Sequence, residues 1–394
     1  MQKPTESAKS LSGELLLMLA GLAALGSLAT NIILPAFPCI GAELGTSVKD
    51  LSATLSTFFV AFALGQLFVG PLSDRFGRRP LVVSGLLMFV LGSAVCALAS
   101  SLPQLITGRV VQALGVCATS VLSRAIARDL FEGESLARVL SLVMVAMAAA
   151  PGFSPLLGGA LNSFLGWRAT FGVVGLLAIL LGAHYLSRLG ETHRSDLRRP
   201  LALSAVITTY KELLTDRRFI APAMSASLVI GSLYLFFAMA PAILMEGFSF
   251  SPFELALLFA STVFVVFGAG LLAPRLAHRF GALRAARAGI AIAFAGGAAL
   301  LAVPEQAYYF SAALTVFLVG MGLINPLGTA LTLQPFGQSA GAASALLGFL
   351  QMGCAAISIG IASALPLTSY WAFCTVLFTS MLLALVIFWG AAKR

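Results

Sequence analysis

Twelve apolar stretches, each long enough to cross the roughly 30 Å hydrocarbon core of a bilayer, constrain this chain more than any other feature. They lie near 15–38, 52–72, 81–100, 103–127, 136–161, 168–188, 218–245, 252–273, 285–303, 307–332, 341–364 and 370–391. A segment in lipid must satisfy its own backbone hydrogen bonds, so only helices or a closed barrel can span. The stretches are rich in Gly and Ala, which let membrane helices pack closely, and none shows the ten-residue alternation of barrel strands. The expected fold class is all-α and integral to the membrane, with twelve transmembrane helices. Composition agrees, since only 10% of residues are charged against about 25% in soluble domains.

The formal net charge of +9 does not indicate nucleic acid, because the cations are sorted by side. Of 24 Lys and Arg, 20 fall on the side of the N-terminus. Lys49 and Arg168 fall on the other side, and Arg109 and Arg124 lie inside the fourth stretch. Such a bias predicts that both termini are cytoplasmic. The first stretch is too long for the apolar core of a secretory signal, and eleven more follow. The five cysteines, Cys39, Cys96, Cys117, Cys354 and Cys374, are odd in number and show no CxxC spacing. They read as apolar fillers rather than disulfides or metal ligands. No metal or cofactor is expected.

Residues 189–217 form the long charged interruption. It divides the chain into an N-terminal six-helix bundle (1–188), a cytoplasmic linker (189–217) with a short helix near 203–214, and a C-terminal six-helix bundle (218–394). The halves echo each other: "DRFGRR" at 74–79 follows the second stretch, and "HRFGAL" at 278–283 follows the eighth, 204 positions later. Repeated halves with a site between them are a transporter architecture.

The motif with the most specific spacing is "GQLFVGPLSDRFGRRP", residues 65–80. Gly70 admits a neighbouring backbone. Asp74 is an acid at the membrane edge, placed to pair with Arg or a helix N-terminus. Gly77 permits a tight turn, Arg75, Arg78 and Arg79 hold the loop at the cytoplasmic surface, and Pro80 starts the next helix without losing a hydrogen bond. This stretch resembles the signature loop of the major facilitator superfamily. "GRVVQALG" (108–115) is similar to that superfamily's motif in the fourth helix, and "APGFSPLLGGAL" (150–161) to the fifth-helix motif of its antiporters. With "RAIARDLFEGESLARVLSLVMV", "GAASALLGFLQ" and "GWR" they look like the Bcr/CflA drug-efflux family. The resemblance implies two pseudo-symmetric six-helix bundles working by alternating access. It also implies exchange of a small lipophilic drug-like molecule for protons across the bacterial inner membrane.

The candidate site follows from helical faces. In the fourth stretch Arg109, Gln112, Val116, Thr119 and Ser123 share one face, polar except for Val116. An Arg inside lipid is costly and needs a partner or a wet cavity. Asn325 in the tenth stretch and Gln351 in the eleventh add amides, while Met144, Met147, Phe236 and Met239 suit an apolar ligand. In the fifth stretch Pro151 and Pro155 bend the helix, and Gly158 and Gly159 allow close contact. Either a static kink or gating between the halves accounts for these; only the resemblance adds gating. We expect Asp74, Arg78 and Asp129 to form a charge cluster stabilising one access state, as the matching residues do in the family.

One departure stands out. The family's first helix carries an acid four residues before the Pro of a Leu-Pro pair, and here Asn31 precedes Leu34-Pro35. An Asp there would take up and release protons, whereas Asn has nearly the same shape and cannot titrate. All fifteen Asp and Glu fall in loops or at stretch ends. Either an Asp has been replaced, or the natural chain couples weakly, differently or not at all. A small-molecule exporter acting as a monomer is the expected function. A metabolite or siderophore transporter, or an uncoupled facilitator of the same fold, is the alternative, and a non-transporting receptor is disfavoured by the two echoing halves. No nucleophile–base set, HExxH or P-loop suggests an enzyme.

Overall fold

The computed structural model describes residues 13–193 and 203–391. Among them every regular element is helical, and twelve helices are long and apolar enough to cross a membrane. The first six are Gly13–Leu44, Val48–Phe76, Arg78–Ala97, Leu102–Leu130, Arg138–Leu165 and Arg168–Arg188. The second six are Arg217–Gly247, Pro252–Phe280, Ala282–Ala302, Ala307–Phe336, Ala340–Ala364 and Ser369–Gly390. They form two six-helix bundles, with a linker helix, Leu203–Thr215, between them in the chain. Residues 194–202 of the expected linker and the chain ends (1–12 and 392–394) lie outside the described residues.

Each expected stretch overlaps one span, and the ends differ where polar caps extend a helix beyond its apolar run. Ser47 starts the second span by accepting from the Asp50 amide, so Lys49 and Asp50 are helical. Ser251 and Glu254 cap the eighth span reciprocally. Two spans are broken by proline. The first runs as a helix to Asn31, tightens through Leu34–Ala36 and resumes at Phe37, because Pro35 offers no N–H to the preceding turn. The seventh changes at Pro241 into a wider π-helical segment that ends at Gly247.

Glu14, opening the first span, pairs with Arg188, closing the sixth, at 2.9 Å. Both mark the membrane face that carries the linker helix, here the linker side. The internal repeat is visible in the packing. A Cβ added at Gly85 would stand 2.7 Å from the Gly115 carbonyl oxygen, so glycine sets how closely the third and fourth spans approach. Gly289, 204 positions later, does the same between the ninth and tenth spans, 3.2 Å from the Gly320 carbonyl.

The bundles meet unevenly. On the far side, Lys49 donates to the Leu365 and Leu367 carbonyls at 2.7 and 3.0 Å, and Ser52 bonds Ser363 at 2.6 Å. Ser56 adds a bond to the Ala356 carbonyl at 3.0 Å. These join the second span to the eleventh. The fifth span meets the eighth where Gly152 lies against Val263 and Ala260.

Candidate functional site

The charge cluster expected from the signature loop is assembled. Gly77, at φ 98°, ends the second span and points the chain into the third. Arg78 thereby turns back into the bundle, where it is 8% exposed. Its guanidinium donates to Asp74 Oδ1 at 2.6 Å, Ser73 Oγ at 2.6 Å and Asp129 Oδ2 at 3.1 Å. Glu191, just past the sixth span, accepts from the backbone amides of Arg78 and Arg79 at 2.8 and 3.2 Å, capping the third span with negative charge. Thr192 adds a bond to Asp129 at 3.0 Å. Asp74, Arg78 and Asp129 belong to the first half, and Glu191 and Thr192 to the start of the linker. Arg75 instead lies over the Phe76 ring.

A second polar centre is buried deeper. Arg109 has no exposed surface. It donates to Gln112 Oε1 at 2.9 Å and to the Ala29 carbonyl at 3.1 Å, and it stacks 4.4 Å above the Phe58 ring. Ala29 lies in the last turn of the first helical segment, whose carbonyl end is the negative pole of the helix. Gln112 passes the network to Ser93 at 2.8 Å. The Nε and one terminal nitrogen of Arg109 have no acceptor. Thr119 and Ser123 bond their own helix backbone. Asn31 is buried and donates to the Ser27 carbonyl at 2.8 Å and Thr30 Oγ1 at 3.0 Å. The polar face of the fourth span is therefore packed against neighbouring spans in this structure.

Among the described residues a cavity lies away from this face, on the linker side between the halves. Its volume is about 510 Å³. The second span contributes Gln66, Gly70, Asp74 and Arg78, and the fourth contributes Val121, Arg124, Ala125 and Arg128. Thr209 and Tyr210 of the linker helix and Ser344 of the eleventh span complete the polar lining. Tyr210 anchors the linker helix by donating to the Leu67 carbonyl at 3.1 Å. Gly70, Asp74 and Arg78 thus border the cavity, while the ten residues expected to contact substrate do not line it.

Of those ten, Arg109 and Gln112 meet in the buried network and others lie apart. Met144 is 53% exposed, and Met147, Asn325 and Gln351 are half-buried. Met239 is fully buried, as is Phe236, which sits in an aromatic group with Phe259, Phe310 and Phe373. Pro151 and Pro155 lie in an unbroken helix, Gly133–Leu165. Gly158 packs on the Ile32 carbonyl, and Gly159 faces Pro35 and Pro252, at the junction of the first, fifth and eighth spans. Sequence reasoning missed Gln66, Arg124, Tyr210 and Glu191. Gln66 stands inside the quoted motif, and Tyr210 is on the short helix expected near 203–214.

A sequence model of the major facilitator superfamily matches residues 19–361. The chain is 32% identical over 368 residues to a chloramphenicol resistance protein of Pseudomonas aeruginosa, covering 90% of this chain and 85% of that one. It is 31% identical over 340 residues to the uncharacterized MFS-type transporter YdgK of Bacillus subtilis, covering 85% of each. It is 28% identical over 347 residues to a bicyclomycin resistance protein homolog of Haemophilus influenzae, covering 87% of each. Among solved structures, a bacterial homolog of the human lysosomal transporter Spinster superposes with a TM-score of 0.72 at 19% identity, over 98% of this chain and 96% of that one.

Proposed function

The chain belongs to the major facilitator superfamily, as a Bcr/CflA-like multi-pass transporter of the inner membrane, and from that premise we propose that it exports small drug-like molecules by alternating access. One observation carries the reading: the halves are hydrogen-bonded on the far side and parted by a cavity on the linker side. In this reading residues 1–188 and 218–394 rock against each other, tethered by 189–217. The surplus of Lys and Arg supports a cytoplasmic linker side and cytoplasmic termini. The cavity then loads from the cytoplasm. One chain supplies both of its walls, so a monomer suffices.

Closing the cavity moves the first turn of the eleventh span toward Asp74. That carboxylate keeps 53% of its surface exposed despite its bond to Arg78, and the N-terminal end of a helix attracts negative charge. Nothing stands within 4 Å of where a Gly70 Cβ would be, which leaves room for the approach. The unmet donors of Arg109 supply hydrogen bonds to substrate or water once the first and fourth spans part. Asn31, Gln112, Asn325 and Gln351 border that deeper route.

The test is chloramphenicol accumulation in cells lacking their own exporters. Expression of the chain is expected to lower accumulation several-fold, and Asp74→Asn to abolish that effect at unchanged protein level. Accumulation that ignores expression would remove the drug-export reading; an active Asp74→Asn would remove the cluster from the mechanism.

Protons are the counter-ion expected of such an exporter. An uncoupled facilitator is the second reading, because every Asp and Glu lies outside the spans or within their first or last turn. Asn31 serves there as a fixed donor. In proteoliposomes with an internal pH dye, Asn31→Asp is expected to move protons with drug while the parent does not. Proton movement by the parent would refute the facilitator and assign the proton to another group.

A further inference from the structure

The linker-side cavity carries more positive charge than its walls use. Four charged side chains line it: Asp74, Arg78, Arg124 and Arg128. The first two are already committed, Arg78 to Asp74 and Asp129, and Asp74 to Arg78. Among the described residues, neither Arg124 nor Arg128 has a carboxylate partner. They are four residues apart on the fourth span, where like charges on one helix face oppose each other. Arg124 is the deeper, half-buried in the membrane portion of the span, while Arg128 is exposed at its end. A guanidinium held there without a counter-charge costs stability.

The remaining lining defines what would fit. Val121, Ala125, Pro71 and Val206 are apolar, and Gln66, Thr209, Tyr210 and Ser344 are neutral hydrogen-bonding groups. An apolar cleft with a few convergent polar groups is the usual form of a small-molecule site. Here the convergent charge is positive, and guanidinium binds carboxylate, sulfonate or phosphate oxygens through paired N–H donors.

We propose that Arg124, with Arg128 at the rim, makes this cavity a site for an organic anion: an acidic head on an apolar body. The proposal deepens the export reading, and its meaning as a substrate site rests on it. The same head chemistry is offered by a soluble acid and by an anionic phospholipid that slips between the halves.

The experiment uses the full-length protein in phosphatidylcholine nanodiscs, titrated calorimetrically with 2-naphthoate and with 2-naphthamide, its uncharged isostere. Naphthoate is expected to bind at least tenfold more tightly, the scale of one charge-assisted hydrogen bond. Arg124→Gln is expected to reduce that preference below threefold with naphthamide affinity unchanged, and Arg124→Lys to retain most of it. Naphthamide binding by the variant reports that it is folded; Arg128→Gln, expected to weaken the preference partially, serves as a second variant. Replacing part of the lipid with phosphatidylglycerol separates the sources. Competition with naphthoate in the parent but not in Arg124→Gln assigns the site to a lipid headgroup, and no competition assigns it to a soluble anion. Equal affinity for the two probes, or a preference that survives in Arg124→Gln, overturns the proposal. Chloramphenicol accumulation reads the export reading separately. An anion preference without drug export leaves the site standing alone, and export without the preference leaves the exporter without this site.

Discussion

The turn between the second and third spans and the turn between the eighth and ninth share a backbone and differ in charge. Gly77 has φ 98° and ψ 167°, and Gly281 has φ 86° and ψ 145°. Both follow an Arg-Phe pair and both open the next helix directly. In the first half the turn carries Asp74, Arg78 and Arg79; in the second the same positions hold His278, Ala282 and Leu283. The second turn forms without the charges, so this turn geometry does not need them. Two of them, Asp74 and Arg78, border the cavity. A parallel contrast runs through the interiors. The first half buries Arg109, Gln112 and Ser93 in one hydrogen-bonded network, whereas the second buries Phe236, Phe259, Phe310 and Phe373 with ring centroids 5.5 to 6.4 Å apart around Phe236. One half is built to hold polar states, and the other is built as a packed wall.

The largest expected difference is between Arg78→Ala and Ala282→Arg. Removing Arg78 leaves two carboxylates facing each other without their shared donor. Asp74 and Asp129 are 53% and 18% exposed, so water softens the loss, to about 2 kcal/mol. Detergent melting curves should show it, and transport should fall at least tenfold. Ala282→Arg should change stability by less than about 0.5 kcal/mol, as surface substitutions do, and leave transport intact. Equal effects would break the comparison. The next pair sharpens it. Gly77→Ala and Gly281→Ala each force a side chain into a region open essentially to glycine, at about 1–3 kcal/mol. Their melting curves should shift alike, yet only Gly77→Ala should impair transport beyond its loss of protein, because only that turn aims a cavity charge.

The fold was legible because lipid leaves few options: long apolar runs must be helices. Span ends were less legible, since Ser47 and Ser251 start helices through side-chain bonds that hydropathy does not register. In the charge cluster, Asp74 and Arg78 are one helical turn apart and Asp129 lies at a predictable helix end. Glu191 was invisible because its contact crosses 113 residues and only the folded sixth span delivers it. Periodicity identified a polar face on the fourth span but not what it touches; the structure buries Arg109 against the first and second spans. Arg124, noted as a cation inside the fourth stretch, falls one residue beyond Ser123, the last member of that face, and so was not placed in the site. Met144 shows a different limit: in sequence a lipid-facing methionine and a cavity methionine look alike, because lipid and protein interior are equally apolar.

The smallest expected effect is at the far-side seam. Lys49 donates to two carbonyls at the C-terminal end of the eleventh span, groups that lack partners within their own helix and carry its negative pole. These bonds cross between halves, so they stabilise the arrangement with the far side closed and the linker-side cavity open. Ser52 and Ser56 bridge the same spans and would remain, and the site is partly wet, so Lys49→Ala should cost only about 0.5–1 kcal/mol. In a two-state equilibrium that is a two- to fivefold shift toward the cavity-closed form. The readout is the rate at which a maleimide labels Ser344→Cys, with Cys39→Ser removing the exposed native thiol. Labelling should slow by that factor in Lys49→Ala and should not change in Lys211→Ala, a linker lysine. A rate that rises or holds would mean that the charged turn of the first half, rather than the far-side seam, sets the access state, and the contrast between the two turns would then carry the whole switch.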